Sequence, residues 1–159
     1  MKYVLSVLVE NSPGVLSKVV SLFSRRGYNI DSLTVAASED PAFSHMTIVG
    51  EGENYTLEQV EKQLNKLIPV IKVREVKGSV DAVREELIFI KVNFDKKKVS
   101  EISEIVKLAG AEVAAISAAS ITVKFSGEYE KCENLCELMR PFGIRRIVRS
   151  GIIAIESGN

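Results

Sequence analysis

Glu10 and Asn11 close an apolar run, and Ser12, Pro13 and Gly14 follow directly before a second apolar stretch that begins with Val15 and Leu16. This order predicts a strand-to-helix turn. Ser12 suits an N-cap, Pro13 the first helical position, and Gly14 removes side-chain bulk over the helix start. The amides of Gly14, Val15 and Leu16 then point outwards, where a small anion or carboxylate can meet them. Helix capping alone accounts for the same pattern.

Other residues able to do chemistry form weaker constellations. His45 is the single histidine; it lies in a predicted strand with no nucleophile or carboxylate in a motif beside it, which suits a structural or surface role. Gly50 and Gly52 follow a strand and precede a helix, but Tyr55 stands where a dinucleotide fingerprint needs a third glycine, so they read as turn residues. Cys132 and Cys136, four apart, share a helical stripe with Leu135 and Met139. They are too few for a disulfide framework or a zinc site and read as reduced, buried thiols. The pairs Arg25-Arg26 and Arg145-Arg146 lack the aromatic motif with which sheets of this topology bind RNA. The first pair suits a helix C-terminus; the second suits a solvated strand edge. No catalytic residue and no metal ligand is assigned.

The composition argues against a disordered or fibrous chain and narrows the possible partners. The 159 residues are 46% hydrophobic, and 21 Lys+Arg balance 21 Asp+Glu. Such a chain buries roughly 70% of its unfolded surface. Zero net charge gives no field for nucleic acid or an anionic membrane. No apolar run reaches the ~20 residues of a bilayer span, and MKYVLSVLVEN turns polar too early for a signal peptide, so a cytoplasmic protein is expected.

The elements that must position the Glu10–Ser17 turn follow from hydrophobic period. Residues 3 to 11 form a strand apolar at almost every position, which needs cover on both faces. Val15, Leu16, Val19, Val20, Leu22 and Phe23 give a helix a wide apolar stripe, ended by Gly27. Strands around Ile30 to Ala37 and Ser44 to Val49 flank the turn SEDPA. Thr56 with Gln59 resembles a capping box opening a second helix, which Pro69 ends before a strand over Val70 to Val76.

The same order recurs after KGSVDAVRE: a strand over 86 to 94, a helix with Ile102, Ile105 and Val106, strands near 112 to 117 and 120 to 126, and a helix carrying both cysteines. A last strand runs from Ile144 to Ile155 with a break at Gly151. The expected fold class is α+β, two tandem ferredoxin-like βαββαβ domains, with boundaries at 1–77 and 86–159 and a linker at 78–85. Each would carry both helices on one sheet face and leave the other needing cover, from a second copy or from the other half.

The run LSVLVENSPGVLSKVVSLFSRRGYNIDSLTVA, continued by SHMTIVGEG and LEQVEKQLNKL, resembles the N-terminal ACT domain of the regulatory (small) subunit of acetolactate synthase. The resemblance extends through the second half to RSGIIAIESG. It implies a non-catalytic subunit that binds and activates a separate catalytic large subunit and confers feedback inhibition by valine or another branched-chain amino acid. Thiamine diphosphate, magnesium and FAD are implied for that large subunit and no cofactor for this chain. The family places its effector between two ACT domains of a homodimer. By matching motif, one half-site is Asn11, Gly14, Val15 and Leu16 and the other Asn29 and Ile30. Helix-start amides would take the carboxylate, the side-chain oxygens of the two asparagines or nearby carbonyls the ammonium, and Leu16 with Ile30 the side chain.

Two other readings compete. One is a free-standing ACT-domain amino-acid sensor acting on another enzyme or on transcription; the other is a small enzyme on the same scaffold. Valine, leucine and isoleucine remain open as effectors.

Overall fold

The computed structural model describes residues 1–78 and 80–158; Ser79, inside the expected linker, and Asn159, at the end of the expected second domain, lie outside the described residues. Met1–Val83, together with the described residues from Ile152 onward, form one compact unit and Arg84–Gly151 a second.

The first unit runs β1 (Lys2–Glu10), α1 (Val15–Arg26), β2 (Ile30–Ala37), β3 (Phe43–Glu51), α2 (Asn54–Asn65) and β4 (Val70–Glu75). Its antiparallel sheet has the order β2-β3-β1-β4. Alternate β1 residues Tyr3, Leu5, Val7 and Val9 meet Val15, Val19, Leu22 and Phe23 of α1 and Leu57, Val60 and Leu64 of α2 in one core. Period-2 alternation in the strand and a 3.6-residue stripe in each helix therefore converge on the same sheet face. Arg25 and Arg26 occupy the last turn of α1, where cations complement the helix dipole.

The second unit contains β5 (Ala82–Asn93), which starts in the first, then α3 (Val99–Leu108), β6 (Glu112–Ile116), β7 (Ser120–Gly127), α4 (Tyr129–Met139) and β8 (Ile144–Arg149). Its strands follow the order β6-β7-β5-β8. Ile88, Ile90 and Val92 pack with Ile102 and Val106 and with Cys132, Leu135, Cys136 and Met139. The chain is thus a tandem pair of ferredoxin-like βαββαβ folds. Both thiols are reduced and buried; burial, with Glu86 adding to it, pushes Cys132 up to about 11.

Several expectations are corrected. The capping box at Thr56 does not form: α2 already begins at Asn54, and Thr56 lies inside the helix beneath Gly52. Gly50 is a buried strand residue rather than part of a turn, paired with Tyr3 across β1 and β3. A Cβ on Gly50 would collide with the Tyr3 phenol, so the glycine makes room for the ring. The run from Ile144 to Ile155 breaks at Gly151 as expected, into β8 and β9 (Ile153–Glu156), but the second piece packs in the first unit rather than closing the second.

That placement answers the need for cover on β1. Val4, on the face of β1 away from the helices, is buried with Val49, Val76 and Ala82, and Ile152 and Ala154 pack on this cluster. Thr34 donates its hydroxyl to the Ile152 carbonyl (3.1 Å), Arg74 pairs with Glu156 (2.6 Å), and the Ser157 amide donates to the Asp81 carbonyl (2.9 Å). The segment from Ile152 therefore crosses the outer face from β2 to β4 as a strap.

Candidate functional site

The turn between β1 and α1 is built differently from its sequence reading. The N-cap of α1 is Gly14, with φ 84°, and no side chain caps the helix. Ser12 and Pro13 precede the helix; Ser12 contributes its carbonyl, which accepts from the Val15 amide at 3.4 Å. The positive φ, a conformation costly for residues with a Cβ, is the local reason for glycine here. A Cβ at this position would meet no atom of the chain within 4 Å, so the space above the helix start is open. The Leu16 and Ser17 amides occupy second and third helical positions, which have no intrahelical acceptor.

Asn11 fixes this turn to the β2–β3 hairpin. Its backbone amide donates to Ala42 (2.8 Å) and its side-chain Nδ2 to the Pro41 carbonyl (2.9 Å). Asn29, just before β2, donates its Nδ2 to Asp31 Oδ1 (2.7 Å). Both side-chain NH2 groups are thus engaged, which leaves each Oδ1 to serve as an acceptor. Val15 is buried in the core and presents only its backbone to the turn, whereas Leu16 is 44% exposed. Ile30 packs partly on the core.

The pairing register decides which of these residues can meet. Tyr3 and Ile30 both pair with Gly50, so the start of β2 lies level with the start of β1. Asn11 is eight residues further along, beyond the pair Glu10 and Phe43. At about 3.3 Å per strand residue, the two groups stand roughly 27 Å apart within one chain. Asn11, Gly14, Val15 and Leu16 form one cluster, and Asn29 with Ile30 another at the opposite end of the sheet. An exposed groove along α1, lined by Ser17, Ser21, Arg25 and Leu67 among others, includes none of these six residues.

Tyr3 was not legible as a special residue in sequence. It is 2% exposed, and its hydroxyl has no hydrogen-bond partner among the described residues. Burial raises its pKa, with further contributions from Asp31 and Tyr28. An orphaned buried hydroxyl costs about 1 to 3 kcal/mol. Tyr3→Phe is therefore expected to raise stability to chemical denaturation by about 1 kcal/mol; a loss would show that the hydroxyl has a partner. The pairing with Gly50 carries this information, and only a known register supplies it.

Glu86 was also missed, although its strand parity, shared with Ile88 and Ile90, points it inward. It is 3% exposed and pairs with Arg149 (2.9 Å), which also bonds Glu133 and lies 5.5 Å from the Tyr129 ring centroid. A buried carboxylate needs such a partner. His45 lies on exposed β3 surface, 3.8 Å from Glu39. Among the described residues, no group of three His, Cys, Asp or Glu side chains could hold a metal ion, and no helix is long and apolar enough to cross a membrane.

Comparison with known proteins bears on the family. Residues 5–72 match the model of the AHAS small subunit-like ACT domain, and residues 85–158 match that of the small subunit of acetolactate synthase. The acetolactate synthase small subunit of Mycolicibacterium smegmatis is 47% identical over 98% of this chain and 91% of its own length. The chain belongs to the acetolactate synthase small-subunit family. A probable small subunit from Archaeoglobus fulgidus is 44% identical, covering all of this chain and 99% of its own. The crystal structure of the small subunit from Thermotoga maritima superimposes with a TM-score of 0.90 at 36% identity, over 100% of this chain and 99% of that one.

Proposed function

We propose that the chain is the regulatory subunit of acetolactate synthase: it binds the catalytic large subunit, raises its activity, and carries valine feedback inhibition in branched-chain amino acid biosynthesis in the cytoplasm. The chemistry belongs to the large subunit, with its thiamine diphosphate, magnesium and FAD. This chain supplies the effector site and the coupling.

The observation that carries the reading is the separation of the two residue groups. A site containing Asn11 and Asn29 together needs a second copy. β2 is an edge strand, free on one side of the order β2-β3-β1-β4. Antiparallel pairing of two β2 strands across a two-fold axis sets Ile30 of one copy opposite Ala37 of the other. Ala37 shares a row with Ser44 and Val9, beside the end of β1 that carries Asn11. The two groups then approach to about 14 Å across three strand spacings. Amides at the start of α1 take the effector carboxylate, an asparagine Oδ1 or a nearby carbonyl takes its ammonium, and exposed Leu16 faces its side chain. Valine thereby stabilises one dimer geometry, and a coupling of about 1 to 3 kcal/mol between that geometry and the large-subunit contact is enough for inhibition.

Chain mixing tests the shared site. Valine is expected to raise the melting temperature of the wild-type dimer, and Asn11→Ala or Asn29→Ala alone to weaken the rise. Unfolding and refolding the two variants together forms mixed dimers with one intact site, and the response is expected to return. A response that stays lost would place the effector within one chain.

A further inference from the structure

Arg145 and Arg146 lie outside the proposed effector site, and the second unit sets Arg146 opposite another cation. Lys91 and Arg146 are directly opposite on β5 and β8. Arg145 donates to Asn93 Oδ1 (2.5 Å), at the end of β5 that leads into Lys96, Lys97 and Lys98. None of these six cations forms an ion pair with a described residue. The nearby Asp95 carboxylate accepts the Lys97 backbone amide instead. Lys91 and Arg146 thus face one another across the sheet with no carboxylate among the described residues paired to either. Like charges directly opposite on neighbouring strands are destabilising, so the fold bears a cost that Lys91 and Arg146 do not recover internally.

The cations border apolar surface. Phe89 and Val148 are cross-strand partners two residues from Lys91 and Arg146, on the same face of the sheet. They are 37% and 46% exposed. An aromatic and a branched side chain at the centre with charges at the rim is the anatomy of a docking surface. A second copy of this chain is a poor occupant, because a two-fold axis through the patch would set cation against cation.

We propose that this face of β5 and β8 docks an acidic-rimmed apolar surface of the catalytic large subunit, whose carboxylates neutralise Lys91 and Arg146. The proposal rests on the reading of the chain as an acetolactate synthase subunit. It gives the second unit a role separate from the effector site in the first.

Lys91→Glu provides the test, since it replaces a like-charge pair with an opposite-charge pair facing Arg146. The variant is expected to melt at or above the wild-type temperature and to keep its valine response. Its affinity for the large subunit from the same organism, measured by titration with the full chain, is expected to fall about tenfold or more. Wild-type affinity is expected to fall as salt rises from about 50 to 300 mM, and the variant's to fall less. Phe89→Ala, which truncates an exposed side chain without changing charge, is expected to weaken binding too. If the wild-type chain binds but both variants match it within twofold, the docking face is overturned and the subunit reading stands. Lack of wild-type binding would overturn the subunit reading itself. A charge reversal that changes the sedimenting mass of the chain alone, or that abolishes tighter binding to a short RNA, would assign the face to self-association or nucleic acid and overturn the proposal.

Discussion

Replacing Gly14 with Asp is expected to abolish the rise in melting temperature that valine is proposed to give the wild-type chain, while the variant still folds. Gly14 has φ 84°, and aspartate tolerates the left-handed region better than most residues. The added Cβ meets nothing in the chain within 4 Å, so the folding cost is confined to backbone strain of about 1 kcal/mol. A carboxylate at a helix N-terminus is itself favourable, which offsets part of that cost. In the proposed site the same carboxylate would occupy the place of the effector's own and repel it. At a ligand concentration about 100 times Kd, binding stabilises a protein by about 2.7 kcal/mol, and this whole increment should vanish. Gly14→Asn, similar in size but neutral, is the control: a partial valine response there and none in Gly14→Asp would assign the loss to charge. A full response in Gly14→Asp, measured by thermal unfolding, would remove the helix start from the site.

Ending the chain after Gly151 is expected to destabilise the first unit by about 3 kcal/mol while leaving the core of the second intact. The estimate rests on Val4 and Val49, each about 5% exposed or less under the Ile152–Ala154 strap. Exposing a valine side chain costs about 1.5 kcal/mol or more. The Thr34 and Arg74 contacts to the strap are lost as well, but Arg74 and Glu156 are partly exposed and contribute little. Against a typical total of 5 to 15 kcal/mol, such a loss is large. Native-state hydrogen exchange reads it locally: amides of β1 and β3 should lose protection, whereas those of β5 and β7 along Ile88, Ile90 and Val123 should not. Equal loss in both units, or none, would show that the strap does not hold the outer face.

The sequence determined the order of elements, because each periodicity is local: alternation along residues 86 to 94, the stripe from Val15 to Phe23, and the closing Gly27 can each be read within a few turns of chain. It also determined the family, through the runs around Asn11–Leu16 and Asn29–Ile30. What it left undecided depends on pairs remote in sequence. Gly14 has the same letter whether it clears space for a ligand or adopts a left-handed cap, and only its backbone angle separates the two. Gly50 reads as a turn until register places it under Tyr3. The break at Gly151 in the Ile144 to Ile155 run is legible, but nothing local says that Ile152 and Ala154 beyond it will find Val4 and Val49. The distance between Asn11 and Asn29, which makes a second copy necessary for the proposed site, follows from strand register. Register is set by side chains packing across the whole sheet, so it was decided only when the chain folded.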